Sequence, residues 1–210
     1  MNKVEDKWNK IYSEHQRPGH AAAVLTNNTN VLPVKGLALD LACGLGPNSL
    51  FLAARGLDVH AWDISTVAVN SLASHAQSLG LNIQTRVINI TAAALPVERY
   101  DLIIVSHYLD RTLPPAILNA TRSGGVICYQ TFTAEKKIKI GPSNPKFLLQ
   151  KNELRSFVPD CEILAFKDES NNTNSDDSLA GRAFIVARKP VPSSQRLVNA
   201  IGFIEPVDFS

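Results

Sequence analysis

The sequence predicts an α/β fold: a doubly wound, mostly parallel sheet of seven strands that ends in an antiparallel β-hairpin, with helices on both faces. Three observations carry that expectation. Short apolar runs recur along most of the chain, several of them closed by Gly-bearing turns. Segments of helical periodicity separate most of them, as parallel strands with crossover helices require. The last two apolar runs have no such helix between them, so they must pair antiparallel.

Taken in order, Val4, Trp8, Ile11, Tyr12 and His15 fall at helical spacing over residues 3–15, an amphipathic helix with one aromatic stripe. Arg17-Pro18-Gly19 stops it, and a second short helix covers about 20–26. After a polar loop of Thr and Asn, the run Leu37–Ala42 reads as a buried strand, and Cys43–Gly46 as a turn. Residues 47–55 form a helix with Pro47 in its first turn and Gly56 just beyond its end. Asp58–Asp63 is the second strand; Ser65 caps a helix that runs to Leu79 and closes at Gly80. Residues 82–90, Tyr100–Ser106 and Gly125–Thr131 are the third, fourth and fifth strands, with a helix over Pro114–Arg122. Lys151–Val158 is a short helix, and Cys161–Lys167 and Ala183–Lys189 are the closing pair, joined by the polar stretch Asp168–Ser178. Residues 1–189 are expected to form one domain, with 1–30 as a helical cap. The tail 190–210 shows no assignable element.

Composition narrows the function classes. An apolar fraction of 45% and a charged fraction of 19% exclude whole-chain disorder. The 21 Lys and Arg against 19 Asp and Glu leave +2, too little for bulk attraction to nucleic acid or an anionic membrane. No apolar run approaches the roughly 18–20 residues that span a bilayer, and residues 1–15 lack the apolar stretch of a signal peptide. Cys43, Cys128 and Cys161 are scattered and fall in no metal-type pair, so no metal site is expected. A cytoplasmic location follows as the expectation.

The informative chemistry sits at the ends of the first two strands. In an open parallel sheet the ligand crevice lies beyond the carboxyl ends of the strands, where strand order reverses. There the chain carries Asp40-Leu41-Ala42-Cys43-Gly44-Leu45-Gly46; glycines at 44 and 46 let a ligand approach the backbone, and the next helix offers free N–H donors. Asp63 closes the second strand, where a carboxylate can accept from both vicinal hydroxyls of a ribose. Glycine turn plus second-strand acid means an adenosine-type ligand. A dinucleotide site asks for G-x-G-x-x-G, and the third position here is Ser49. The additional acid, Asp40, suits the ammonium of an amino-acid moiety and would repel a pyrophosphate. With the terminal hairpin, this favours S-adenosyl-L-methionine over NAD. The competing reading is a nucleotide-free α/β protein whose glycines merely shape a turn.

These segments resemble the motifs of class I S-adenosylmethionine-dependent methyltransferases, proteins with a Rossmann-like fold. Leu39–Gly46 is similar to the first motif, Trp62–Ser65 to the acidic one, Tyr100–Ser106 to the fourth-strand segment, and Ser123–Val126 to the turn before the fifth strand. Within that superfamily the chain most resembles the small tellurite-resistance-type group, which also opens on a W-x-x-x-Y helix, here Trp8 and Tyr12. The resemblance implies that Gly44 and Gly46 pass the methionine part, with Asp40 beneath its ammonium. It implies that Asp63 holds the ribose, that Ile64 packs on the adenine, and that Asn89 and Ile90 flank the adenine amino group. Ala42 stands where the family commonly has glycine, a tolerable change if its dihedrals are those of a strand. Trp8 and Tyr12 either close over the cofactor or bury themselves in the core; both readings stay open.

Ser106 and His107 are placed at the end of the fourth strand, where the reactive methyl is expected. His107 is the candidate general base, with the alternative that it only lines the crevice. The insert Thr133–Leu149 carries Lys136, Lys137, Lys139 and Lys146 and could form an acceptor lid; Arg182 could touch the acceptor or pair with Asp176 or Asp177. The implied partner is a small-molecule methyl acceptor, such as a thiol, selenium or tellurium centre. An RNA or protein methyltransferase, or a non-catalytic cofactor-binding module, are the alternatives. Oligomeric state is not indicated.

Overall fold

The computed structural model describes residues 3–14, 17–174 and 177–192. The expectations for His15, for Asp176 and for the tail from residue 193 lie outside the described residues.

Strands β1 (Leu37–Leu41), β2 (Asp58–Asp63), β3 (Ile83–Val87), β4 (Tyr100–Ser106), β5 (Thr121–Phe132), β6 (Glu162–Asp168) and β7 (Arg182–Arg188) form one sheet in the order β3-β2-β1-β4-β5-β7-β6. The first five are parallel, and β7 runs antiparallel to both neighbours. β1 and β4 are buried on both faces, so they read as continuous apolar runs rather than alternating ones. The helices are α1 (Lys3–Glu14), α2 (Ala23–Thr26), α3 (Pro47–Ala54), α4 (Thr66–Ser78), α5 (Pro114–Ala120) and α6 (Glu153–Ser156). Leu25 of α2 and Leu52 of α3 share a core with Ala38, Val59 and Ile104, and Leu72 of α4 packs on Ala61. The other sheet face packs Leu39, Ile103 and Ile185 against Ile117 of α5 and Leu154 of α6.

Of the boundaries that differ from expectation, three have a clear local reason. The third strand stops at Val87, because after Ile88 donates to the Asp63 carbonyl (2.8 Å) the chain turns away into the crevice. The fifth strand starts at Thr121, directly where α5 ends. Thr121 pairs with Tyr100, and the Gly124-Gly125 irregularity then shifts the register to Leu102 opposite Val126. The second helix is a single turn at Ala23–Thr26, and its free N–H groups are met from afar. Ala22 N–H donates to Asn48 Oδ1 (2.8 Å) and Val24 N–H to Gln130 Oε1 (2.8 Å). Among the described residues no helix is long and apolar enough to cross a membrane.

Candidate functional site

Strand order reverses between β1 and β4, so their carboxyl ends diverge and leave a crevice between the loops that follow. A cavity of about 340 Å³ opens there. Both strands leave the sheet through a left-handed residue: Ala42 at φ +56° and His107 at φ +57°. Ala42 therefore does not have strand dihedrals, contrary to the condition under which its substitution for glycine looked harmless. A Cβ in this region costs roughly 1–2 kcal/mol, set against about 0.5–1 kcal/mol of extra unfolded-chain entropy for glycine. Ala42→Gly is expected to stabilise the protein by up to about 1 kcal/mol, read as a higher urea midpoint at unchanged m-value; a lower midpoint would refute the strain.

The cavity wall contains Trp8, Tyr12, Ala42, Gly44, Asp63, Ile64, Asn89, Ile90, Ser106 and His107, most of the residues singled out from the sequence. Asp63 sits at the end of β2, 5% exposed. Its Oδ2 accepts from Gly44 N–H (2.8 Å) and its Oδ1 from Ser65 N–H (2.8 Å). The carboxylate thus fixes both the glycine turn and the start of α4, and each oxygen keeps a lone pair for a ligand. Burial pushes its pKa upward against those backbone hydrogen bonds.

Gly46 and Asp40 are absent from that wall. Gly46 is left-handed (φ +76°), and a Cβ there would overlap the Leu72 side chain, so this glycine serves the turn and the α3–α4 packing. Asp40 is fully buried one layer behind the turn. Ser49 Oγ donates to its Oδ2 (2.6 Å), which is why serine serves where a dinucleotide fold has its third glycine. Oδ1 of Asp40 has no hydrogen-bond partner among the described residues. Burial raises the pKa of Asp40 to about 7 despite Ser49, and its charge reaches the cavity-lining Tyr12 and Cys43. A buried carboxyl with an unused oxygen is costly unless a cation or donor arrives.

Val4, Trp8 and Tyr12, spaced four apart on α1, all face the cavity, and no residue of α1 is buried. The aromatic stripe therefore lines the crevice and is not buried in the core. Trp8 and Tyr12 stack at 5.6 Å, and the Tyr12 hydroxyl lies where a Cβ on Gly44 would come within 2.7 Å of it. Asn9, which sequence reasoning passed over, ties the helix down. Its Oδ1 accepts from Ser65 Oγ (2.7 Å) and Val67 N–H (3.3 Å), while Glu5 accepts from Thr66 Oγ1 (3.0 Å). Asn48 was also missed: it donates to Ser106 Oγ (2.8 Å) across the crevice while holding Ala22. Neither residue belongs to a local pattern, so no sequence signal marked them.

At the far end, Arg182 Nε donates to His107 Nε2 (3.1 Å), and both groups lie against Phe132, at 4.5 Å and 5.4 Å from its ring. Desolvation in the crevice wall, then the neighbouring guanidinium, push the pKa of His107 down to about 4, although part of the residue faces solvent. At neutral pH the imidazole is therefore uncharged, with its proton on Nδ1 and its lone pair already engaged. Arg182 makes no ion pair with Asp177, whose carboxylate is taken by Leu179 N–H (2.8 Å) and Asn172 Nδ2 (2.7 Å). None of the four insert lysines reaches the cavity wall; Lys136 instead donates to the Pro142 carbonyl (3.0 Å). Burial pushes Cys128 up to about 12 and Cys43 well above the usual thiol value, so neither is a thiolate nucleophile.

A family model described as "Tellurite resistance protein TehB" matches residues 2–185. The Haemophilus influenzae (strain Rd) protein named "Probable S-adenosyl-L-methionine-dependent methyltransferase TehB" is 30% identical over 201 residues, covering 89% of this chain and 67% of the relative. Its namesake in strain 10810 is 31% identical over 162 residues; the aligned part is 72% of this chain and 56% of that relative's length. The crystal structure of TehB from Haemophilus influenzae superimposes with a TM-score of 0.64 at 25% identity, over 87% of this chain and 67% of the other.

Proposed function

The chain belongs to the tellurite resistance protein TehB family, whose Haemophilus relatives are named as S-adenosyl-L-methionine-dependent methyltransferases, and from that premise we propose that its cavity binds this cofactor and presents the methyl group to a small acceptor with a soft nucleophilic centre: a thiol, selenium or tellurium. The observation that carries the proposal is the Asp63 carboxylate, held rigid by Gly44 and Ser65 with acceptor capacity left over at the cavity wall.

The residues present fit the cofactor. Asp63 would take the ribose hydroxyls on its spare lone pairs, and Ile64 and Ile90 would pack on the adenine. The Asn89 amide oxygen would accept from the adenine amino group. The unpartnered oxygen and negative charge of Asp40, behind the turn, suit an ammonium. When bound, the sulfonium cofactor supplies an electrophilic methyl group for in-line displacement. The protein's part is alignment and exclusion of water, which is where such a transfer gains most of its rate. Trp8 and Tyr12 line the crevice with aromatic surface, which favours a cation. Tyr12 stays a neutral phenol, since burial and the nearby carboxylates raise its pKa.

His107 serves this reading as a neutral wall of the acceptor pocket, oriented by Arg182, rather than as a base. An imidazole whose lone pair accepts from a guanidinium, with a pKa near 4, holds no proton affinity to spare at neutral pH. That suits an acceptor already in its nucleophilic, deprotonated form, and soft chalcogen anions are of this kind.

A thermal-shift comparison tests the reading. At about a hundred times its dissociation constant, a ligand of the native state adds ~2.7 kcal/mol, which is roughly 5–10 °C for a chain of this size. S-adenosyl-L-methionine and its homocysteine product are expected to give such a shift, and NAD none. Transfer of labelled methyl from the cofactor to thiol, selenide or tellurite acceptors should follow. Cofactor binding with labelled RNA or protein instead would reassign the acceptor, and binding without any labelled product would mark a binding module.

A further inference from the structure

The β3–β4 connection, residues 88–99, contains no α-helix, only the 3-10 turn Ala92–Ala94. One face of β2 and β3 is packed by α4, and the face turned away from it has no helix to cover it. A groove of about 410 Å³ lies there, sharing no lining residue with the cofactor cavity. The parallel register sets His60 beside Gln84 and Trp62 beside Arg86, and period-two alternation puts these four on one face. Arg99 and Tyr100, entering β4, complete the lining.

The charged groups lining this groove, Arg86 and Arg99, are both cations. Arg86 lies over the Trp62 indole at 5.5 Å, a buried platform only 5% exposed. The Tyr100 hydroxyl is 3.1 Å from His60 Nδ1, and the two rings meet edge to face. Arg86 and Arg99 both line the groove beside that phenol, and both charges act on it. Among the described residues neither arginine is in a salt bridge, and no carboxylate lines the groove. The pKa of His60 is lowered, by its partial burial first and then by Arg99, against Gln84 and Asp58, which raise it.

Two unpaired guanidinium groups at one mouth leave a local charge that a single dianion neutralises, and their planar forks match tetrahedral oxyanions in a bidentate way. The geometry points to a second ligand site in this groove, taking a phosphate-type dianion such as a small phosphomonoester, with Arg86 and Arg99 as its charge partners and the Trp62 and Tyr100 rings as its floor. The volume is that of a small-metabolite pocket. The site stands independently of the methyltransferase reading, because none of its residues is assigned to that cavity.

The test uses the full chain and inorganic phosphate as probe, with potassium chloride at matched ionic strength as control. The chain has 2 tryptophans, so the indole N–H signals of Trp8 and Trp62 are told apart by a Trp8→Phe variant. Phosphate is expected to shift the Trp62 signal saturably at millimolar concentration and leave Trp8 in place. In an Arg86→Gln, Arg99→Gln double variant the affinity should fall at least tenfold, while the melting temperature and the affinity for S-adenosyl-L-methionine stay unchanged. A shift reproduced by chloride, or one retained in the double variant, overturns the proposal. So does arginine-dependent binding of a single-stranded oligonucleotide without saturation by phosphate, which would assign the groove to a polyanion.

Discussion

Asp63→Ala is expected to weaken S-adenosyl-L-methionine binding by roughly tenfold to a hundredfold and to lower the stability of the free protein at the same time. The two effects have one origin. In the native structure the carboxylate accepts from Gly44 N–H and Ser65 N–H, each at 2.8 Å, inside a site 5% exposed. Removing it strands both donors, at a cost of about 1–3 kcal/mol for each that finds no water. It also removes the charge-assisted acceptor proposed for the ribose, worth about 1.5–3 kcal/mol, or roughly tenfold to a hundredfold in affinity. Asp63→Asn separates the contributions, since its single amide oxygen can serve one backbone donor but not both donors and a diol. Calorimetric affinity together with urea melts on both variants checks this. Full affinity in Asp63→Ala, with stability lost, would leave Asp63 as a turn clamp only and remove the main support for an adenosine ligand.

The contrast between residues that were legible in the sequence and those that were not follows from how far each interaction reaches along the chain. Asp40, Gly44 and Asp63 belong to short segments whose spacing is set by strand–turn–helix geometry, so their placement at one sheet edge could be read directly. Ser65 was equally local: its hydroxyl accepts from Ala68 N–H, the capping geometry its position implied. By contrast, Gln130 satisfies Val24 across 106 positions, and Arg182 reaches His107 across 75. The second of these exists because β7 runs antiparallel to β5, which sets Arg182 opposite Phe132 and beside the end of β4. Topology was predictable; the register that delivers one side chain was not. The sign of φ at Ala42 was hidden too, because alanine in a left-handed turn reads in sequence like alanine in a strand. The role of α1 was ambiguous for another reason: an aromatic stripe has the same periodicity whether it meets a core or a cavity. The packing that distinguishes them, through Asn9 onto the start of α4, is entirely tertiary.

Cofactor binding should be coupled to release of a proton from Asp40, so that affinity falls as pH drops below about 7. Burial holds the carboxyl of the free protein at about 7 even with Ser49 donating to it, far above the ordinary aspartate value. A cationic ammonium nearby favours the ionised form and lowers that pKa by about 1–3 units. Above pH 7 Asp40 is already charged and binding needs no proton release. Below it, binding must drive the proton off, and affinity is lost at up to tenfold per pH unit until the pKa of the complex is reached. Between pH 7 and pH 5 the loss should be roughly fivefold to fiftyfold. The sign for folding is opposite: the raised pKa means the unfolded chain binds fewer protons than the native one above pH 4. Asp40 therefore withdraws stability as pH rises from about 4 to 7, a contribution read as the difference between the pH–stability curves of the unaltered protein and Asp40→Asn. Calorimetry of S-adenosyl-L-methionine in two buffers of different ionisation enthalpy reads the proton count directly. About half a proton released at pH 7, rising toward one at pH 6 where the pKa of the complex lies at about 5 or below, and absent in Asp40→Asn, is the expected result. His107 is already neutral in the free protein between pH 6 and 7 and adds nothing to this proton count, whereas in folding its lowered pKa adds stability as pH rises from about 4 to 6.5. An affinity flat between pH 5 and 7 in the unaltered protein would mean that the ammonium binds elsewhere, and that Asp40 with its unpartnered oxygen serves only the turn it sits behind.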